Sequence, residues 1–157
     1  MILPGHLAAA WISGSALGAD LSGTFAAAMF PDIIDKPIRW ILGITPNDRL
    51  PAHTLLGWLL TTIIAKSWCG DRFAKGWALG YGAHLACDRI NASFNPGRLY
   101  LLWPLRRYHY HQGPTGLSSS LRDFKGTSLL FEMTLTLLGG IVFWTAIKPR
   151  RRDLERS

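Results

Sequence analysis

Seven ionisable side chains of the 157-residue chain stand in or at the ends of apolar stretches, gathered at four places. His6 heads the first of these stretches. Asp32 and Asp35 follow a proline in Phe30-Pro31-Asp32-Ile33-Ile34-Asp35, at i and i+3, a spacing that puts both carboxylates on one helical face. Asp48 and His53 flank another proline in Asp48-Arg49-Leu50-Pro51-Ala52-His53-Thr54, at the mouth of an apolar helix. His84 and Asp88 lie at i and i+4 in Gly80-Tyr81-Gly82-Ala83-His84-Leu85-Ala86-Cys87-Asp88. One ion could there touch an imidazole nitrogen and a carboxylate oxygen a turn apart. Any one pair alone reads more simply as a core histidine hydrogen-bonded to an aspartate. Three histidines and four aspartates together are too many polar groups to satisfy one another cheaply in apolar surroundings, where ionisable side chains mark function. A cation resolves the conflict. Imidazole and carboxylate without thiolate suit zinc, with manganese or iron as harder substitutes, and the ligand number permits two or three ions.

The elements that must position these groups read as helices. Residues 7–30 are apolar, interrupted by Gly14, Gly18, Asp20 and Gly23, and their small residues suit close helix packing. Pro31 is expected to break this run, with a helix start beyond it that one of the two carboxylates could cap. A short segment at 33–42 and a turn-rich loop at 43–48 follow. Residues 52–68 and 73–91 are two further apolar helices separated by Cys69-Gly70-Asp71, and Pro96-Gly97 closes the second. Residues 98–111 are aromatic and basic, and 112–120 form a polar loop. Residues 127–147 hold a single charge, Glu132, over the roughly 20 residues a helix needs to cross a bilayer. Lys148, Arg150, Arg151 and Arg152 follow at once, which by the positive-inside rule puts the tail in the cytoplasm. The first basic residue is Lys36, so the opening apolar stretch lacks the basic head of a secretory signal.

Composition bounds the partners. Hydrophobic residues make up 48% of the chain, which excludes disorder, and charged residues only 17%, short of the roughly 25% of soluble domains. The 17 Lys+Arg against 10 Asp+Glu leave a net charge of +7, which suits an anionic partner. Arg98, Arg106, Arg107, Tyr108, His109, Tyr110 and His111 could form a nucleic-acid strip. Beside a membrane span, a group such as Trp103, Arg106, Arg107, Tyr108 and Tyr110 reads more simply as an anchor at anionic head groups. Cys69 and Cys87 have no zinc-ribbon or redox spacing. The chain is therefore expected to be all-α, a compact bundle of about five helices with transmembrane helices including a C-terminal span. Its parts are a metal-site bundle at 1–126, the span at 127–147 and a basic cytoplasmic tail at 148–157.

The order of these motifs resembles the bacterial membrane-bound metal-dependent hydrolases, whose pattern is an early His, LPDIDH, HRGxTHS, a GxxxHxxxD helix, then a glycine and a Trp-Pro pair. Here the counterparts are His6, the Met29 to Asp35 segment, the Asp48 to Thr54 segment, Gly80 with His84 and Asp88, and Gly97 with Trp103-Pro104, about two thirds of the chain. Asp48 stands where the family has its first motif histidine, Leu50 for its glycine, Ala52 for its threonine and Lys36 for the histidine after the two aspartates. The family is compared in turn with zinc phospholipase C and P1 nuclease. The resemblance implies a multi-pass protein of the bacterial inner membrane and His6, Asp32, Asp35, His53, His84 and Asp88 as ligands. It adds Asp48, since aspartate also binds a hard cation. It implies phosphoester hydrolysis of a lipid-like substrate by metal-activated water, Asp35 taking the proton and Arg49 steadying the phosphate. No HxxxE pair of the phospholipase kind follows, unless His109 and His111 act instead. The other reading is a non-catalytic membrane protein whose metal, or His/Asp network, staples helices.

Overall fold

The computed structural model describes residues 3–46, 49–94, 100–108 and 126–154. Four helices follow one another: α1 Leu3–Ala16, α2 Leu21–Pro37, α3 Leu55–Phe94 and α4 Thr127–Leu154. A π-helical turn, Ile38–Leu42, extends α2, and no strand occurs among the described residues. Gly70 has φ 82° and ψ 173° inside α3, a backbone that an L side chain rarely adopts, and there α3 folds into two arms. The arms lie antiparallel. The Trp58 indole donates to the Ala78 carbonyl at 3.0 Å and the Trp77 indole to the Thr61 hydroxyl at 3.1 Å. Counting the arms separately gives five rods, and the all-α expectation holds.

The proline expectation does not. α2 starts at Leu21, where the Asp20 carboxylate accepts the Gly23 N–H at 2.9 Å, and it runs through Pro31 and Pro37. Neither Asp32 nor Asp35 caps it. A helix interior tolerates proline at a cost of about 3 kcal/mol when packing offsets the missing hydrogen bond. Here Ala27 and Ala28 pack on the second arm of α3, and Pro31 is itself buried. In that same turn the Ala28 carbonyl accepts a side-chain hydrogen bond from His84.

Small residues set how closely the helices approach. Built side-chain carbons at Gly76 and Gly80, four residues apart on one face, would run into the backbones of Asp20 and Thr24 respectively. α2 and the second arm therefore run in the same direction, from Asp20 beside Gly76 to Ala28 beside His84. α4 runs parallel to α1: Glu132 meets Gly5, Gly139 meets Ala8 and Phe143 meets Trp11. One end of the bundle thus collects the starts of α1, α3 and α4 with the finishing turns of α2 and α3. The fold at Gly70 and the finish of α4 lie at the other end.

Residues Leu129–Ala146 are long and apolar enough to cross a membrane, with a mean hydropathy of 1.6. Only 11% of that window is buried, whereas the core helix of a soluble protein would be mostly covered. Leu59, Leu60, Ile63 and Ile64, on the first arm of α3, are also exposed.

Candidate metal centre

The site forms where those helix ends meet, and each histidine is oriented by a partner behind it. Residues 51–54 bend into the start of α3, whose cap is Thr54: its hydroxyl accepts the Gly57 N–H at 3.0 Å and donates to the Pro51 carbonyl at 2.8 Å. Asp35, fully buried near the end of α2, accepts the backbone N–H groups of Ala52 and His53 at 2.8 and 2.9 Å. The same carboxylate accepts a hydrogen bond from His53 Nδ1 at 2.7 Å. The Tyr81 hydroxyl donates to the Ala52 carbonyl and holds the bend from the α3 side. His84 Nδ1 donates to the Ala28 carbonyl at 2.7 Å.

These outer bonds fix both ring orientations, so each ring turns its Nε2 inward, where a neutral imidazole carries a lone pair. The two Nε2 atoms face each other at 3.1 Å, buried. Two lone pairs so placed repel unless a positive charge lies between them. Carboxylates surround the pair: Asp32 Oδ1 is 3.4 Å and Asp88 Oδ2 3.5 Å from His53 Nε2, and Asp88 Oδ2 is 3.9 Å from His84 Nε2. His6 stacks on His84 with ring centroids 3.7 Å apart, and its Nε2 lies 3.7 Å from Asp88 Oδ1. Burial works against a charge on His53, yet the Asp32 and Asp35 carboxylates outweigh it and hold this imidazole up to about 9. A proton answers the negative field in the metal-free protein, and a metal would displace it.

The spacing fits metal chemistry. Two ligands of a shared tetrahedral zinc, at about 2.0–2.1 Å from it, stand roughly 3.3 Å apart. His6, Asp32 and His84 form one group, and His53, His84 and Asp88 another, each with ligand atoms within 4.8 Å of one another, so that His84 is common to both. Of the residues singled out from the sequence, His6, Asp32, His53, His84 and Asp88 converge here. Asp35 stands behind His53 with its oxygens taken up by donors. Arg49 reaches in from the rim, its guanidinium 2.7 Å from Asp88 Oδ2 and 17% exposed. Asp48, His109 and His111 lie outside the described residues.

Some contributors are not legible as sequence motifs. Lys36 pairs with Asp32 Oδ2 at 2.7 Å, a contact visible beforehand only as an i,i+4 spacing. Tyr81 and the Ala28 carbonyl carry no chemical signature of their own. Glu132, the lone charge of the apolar C-terminal helix, is 3% exposed and accepts the Gly5 N–H at 3.0 Å, one residue before His6. Tyr100, within the aromatic and basic segment, is buried, and the Leu101 carbonyl accepts the Leu55 N–H at 2.9 Å, so this stretch abuts the start of α3.

The model of the YdjM inner membrane protein family matches residues 2–151, nearly the whole chain. The chain belongs to this family. No match to it was found among curated proteins or among solved structures. Membership of the YdjM inner membrane protein family agrees with the outward apolar face of α4, whose 18-residue window is a candidate membrane span. In this YdjM family member, Asp35→Asn is expected to weaken metal binding roughly 10- to 100-fold, because one amide oxygen cannot accept three donors and His53 loses its orientation. Metal titration of the detergent-purified variant checks this; an unchanged affinity would remove Asp35 from the outer layer of the site.

Proposed function

We propose that this protein is a membrane-bound, metal-dependent hydrolase that cleaves a phosphoester in a phospholipid-like substrate, with zinc as the favoured ion and manganese or iron as substitutes. One observation carries the reading: two buried imidazoles turned Nε2 to Nε2 at 3.1 Å between two carboxylates. When bound, a divalent ion there supplies a water of near-neutral pKa and positive charge for the phosphoryl oxygens. His6, His53, His84, Asp32 and Asp88 would hold it. Asp32, 14% exposed and at the rim, is better disposed than Asp35 to take the proton from the attacking water. Arg49 is disposed to leave Asp88 for the phosphate, which a guanidinium grips through two N–H groups. Metal-loaded protein is expected to hydrolyse a phosphodiester, and Arg49→Ala to lower kcat about 100-fold with its metal retained. Stoichiometric metal with no turnover on phospholipid or bis(p-nitrophenyl) phosphate would favour the non-catalytic reading, a structural metal or His/Asp network.

The proposal extends to a multi-pass arrangement with the tail in the cytoplasm. Within twenty residues of the span at 127–147 there are five basic residues after it and three before it, which favours that orientation. The His/Asp cluster and the tail belong to opposite ends of α4, so a cytoplasmic tail means a site on the outer face of the inner membrane. In intact spheroplasts a membrane-impermeant maleimide is expected to label a Leu105→Cys variant, 92% exposed on the segment that abuts the start of α3, and to spare the exposed Cys69 beside Gly70. The reverse pattern would invert the orientation.

A further inference from the structure

Along one face of α4, beginning where Pro4 of α1 leans on it, runs a groove of about 660 Å³, within the range of roughly 300–1,000 Å³ typical of small-molecule sites. Its walls include Pro4 of α1 and Met133, Leu137, Ile141 and Trp144 along one face of α4, all apolar, with Thr136 the one hydroxyl among them. Two adjacent glycines divide the labour. A side-chain carbon at Gly139 would sit 2.6 Å from the Ala8 Cβ, so this glycine lets the helices touch, whereas one at Gly140 meets nothing within 4 Å and leaves the groove floor open. Glu132 closes one end, with its carboxylate turned to the Gly5 N–H. The next residue is His6 of the metal site.

We infer that this groove seats one acyl chain of a membrane lipid, with the lipid's polar end directed towards His6. The lining belongs to the window Leu129–Ala146, whose outward face lies among acyl chains in an inner membrane protein, so the ligand is present at high concentration where the groove opens. An acyl chain needs an apolar slot with few hydrogen-bonding groups, and burial of each methylene contributes about 0.8 kcal/mol. Continuity from Pro4 and Glu132 through Gly5 to His6 gives the slot a direction. That this chain belongs to the substrate rests on the hydrolase reading; its occupancy of the groove does not.

The test uses the full-length protein in nanodiscs of phosphatidylethanolamine doped with the same lipid bearing a mid-chain diazirine. After illumination, adducts at Met133 and Leu137 are expected to exceed those at Leu130 and Leu138, similarly exposed but off the groove, by roughly tenfold, the preference about two buried methylenes supply. Gly140→Phe, or the smaller Gly140→Leu, is expected to bring groove labelling down to the Leu130 level. Equal labelling of all four positions in the wild type would overturn the inference, as would protein–protein cross-links through Met133 and Leu137, which would make the groove a contact between copies. Metal content and phosphodiester hydrolysis are measured on the same preparation. Preferential labelling without hydrolysis supports the groove and removes the hydrolase reading; hydrolysis without preferential labelling does the opposite.

Discussion

The His53→Ala/His84→Ala protein is expected to purify without metal from cells whose wild-type counterpart carries at least one equivalent. His84 is common to both candidate ligand groups, and His53 Nε2 makes three of the shortest approaches in the site, to His84 at 3.1 Å, Asp32 at 3.4 Å and Asp88 at 3.5 Å. Removing both leaves two carboxylates already engaged by Lys36 and Arg49 at 2.7 Å each, and no imidazole in register except His6. Elemental analysis of detergent-purified protein reads the result directly. Stoichiometric zinc in the double variant would overturn the site. Thermal melts supply a second reading. A metal that binds the folded state stabilises it by about 4 kcal/mol at a thousand times its Kd, so wild-type protein is expected to melt higher with zinc than with chelator. The double variant is expected to melt alike in both.

Gly80→Ala is expected to damage both fold and site although it adds a single carbon. That carbon would collide with the Thr24 backbone, and a main chain inside a helix has no rotamer by which to give way. α2 must move off α3, which costs about 3 kcal/mol or more for an overpacked contact. α2 carries Asp32 and Asp35, so the same shift draws both carboxylates away from His53 and weakens metal binding together with stability. Gly82→Ala is the matched control. Its added carbon would stand 4.0 Å from the Trp58 indole nitrogen, an ordinary contact, and alanine gains up to about 1 kcal/mol over glycine in a helix interior. Equal melting temperatures for the two variants would mean that the α2–α3 approach is not set by Gly80.

Much of this arrangement is legible in the order of the residues, and the reasons differ by residue. Apolar runs of helix length, with Gly70 between two of them, specify the rods, because an apolar stretch must be buried or sit in lipid whatever its neighbours are. His84 and Asp88 share a face through the i,i+4 rule, which is local geometry. Pro31 misled because proline propensity is also local: it weighs a lost donor and knows nothing of the buried packing that lets α2 run on to Pro37. Glu132 was visible as a lone charge in an apolar span, but its partner at Gly5 lies 127 positions away, a distance over which no periodicity carries information.

Which groups could hold a cation, and that they occur in helices, can be read along the chain, since residue type fixes donor chemistry and spacing fixes the helical face. Their ranks come from packing. Asp32 and Asp35 look equivalent on one face of α2, yet Asp32 turns to His53 Nε2 while Asp35 is used up on two backbone N–H groups and His53 Nδ1. The order of the elements likewise could not say that α1, α3 and α4 begin at the same end of the bundle, or that Pro4 meets the apolar face of α4 where its groove begins. Both follow from how closely glycine lets helices approach, at Gly80 against Thr24 and at Gly139 against Ala8, and close approach is a property of pairs of surfaces that no single segment contains.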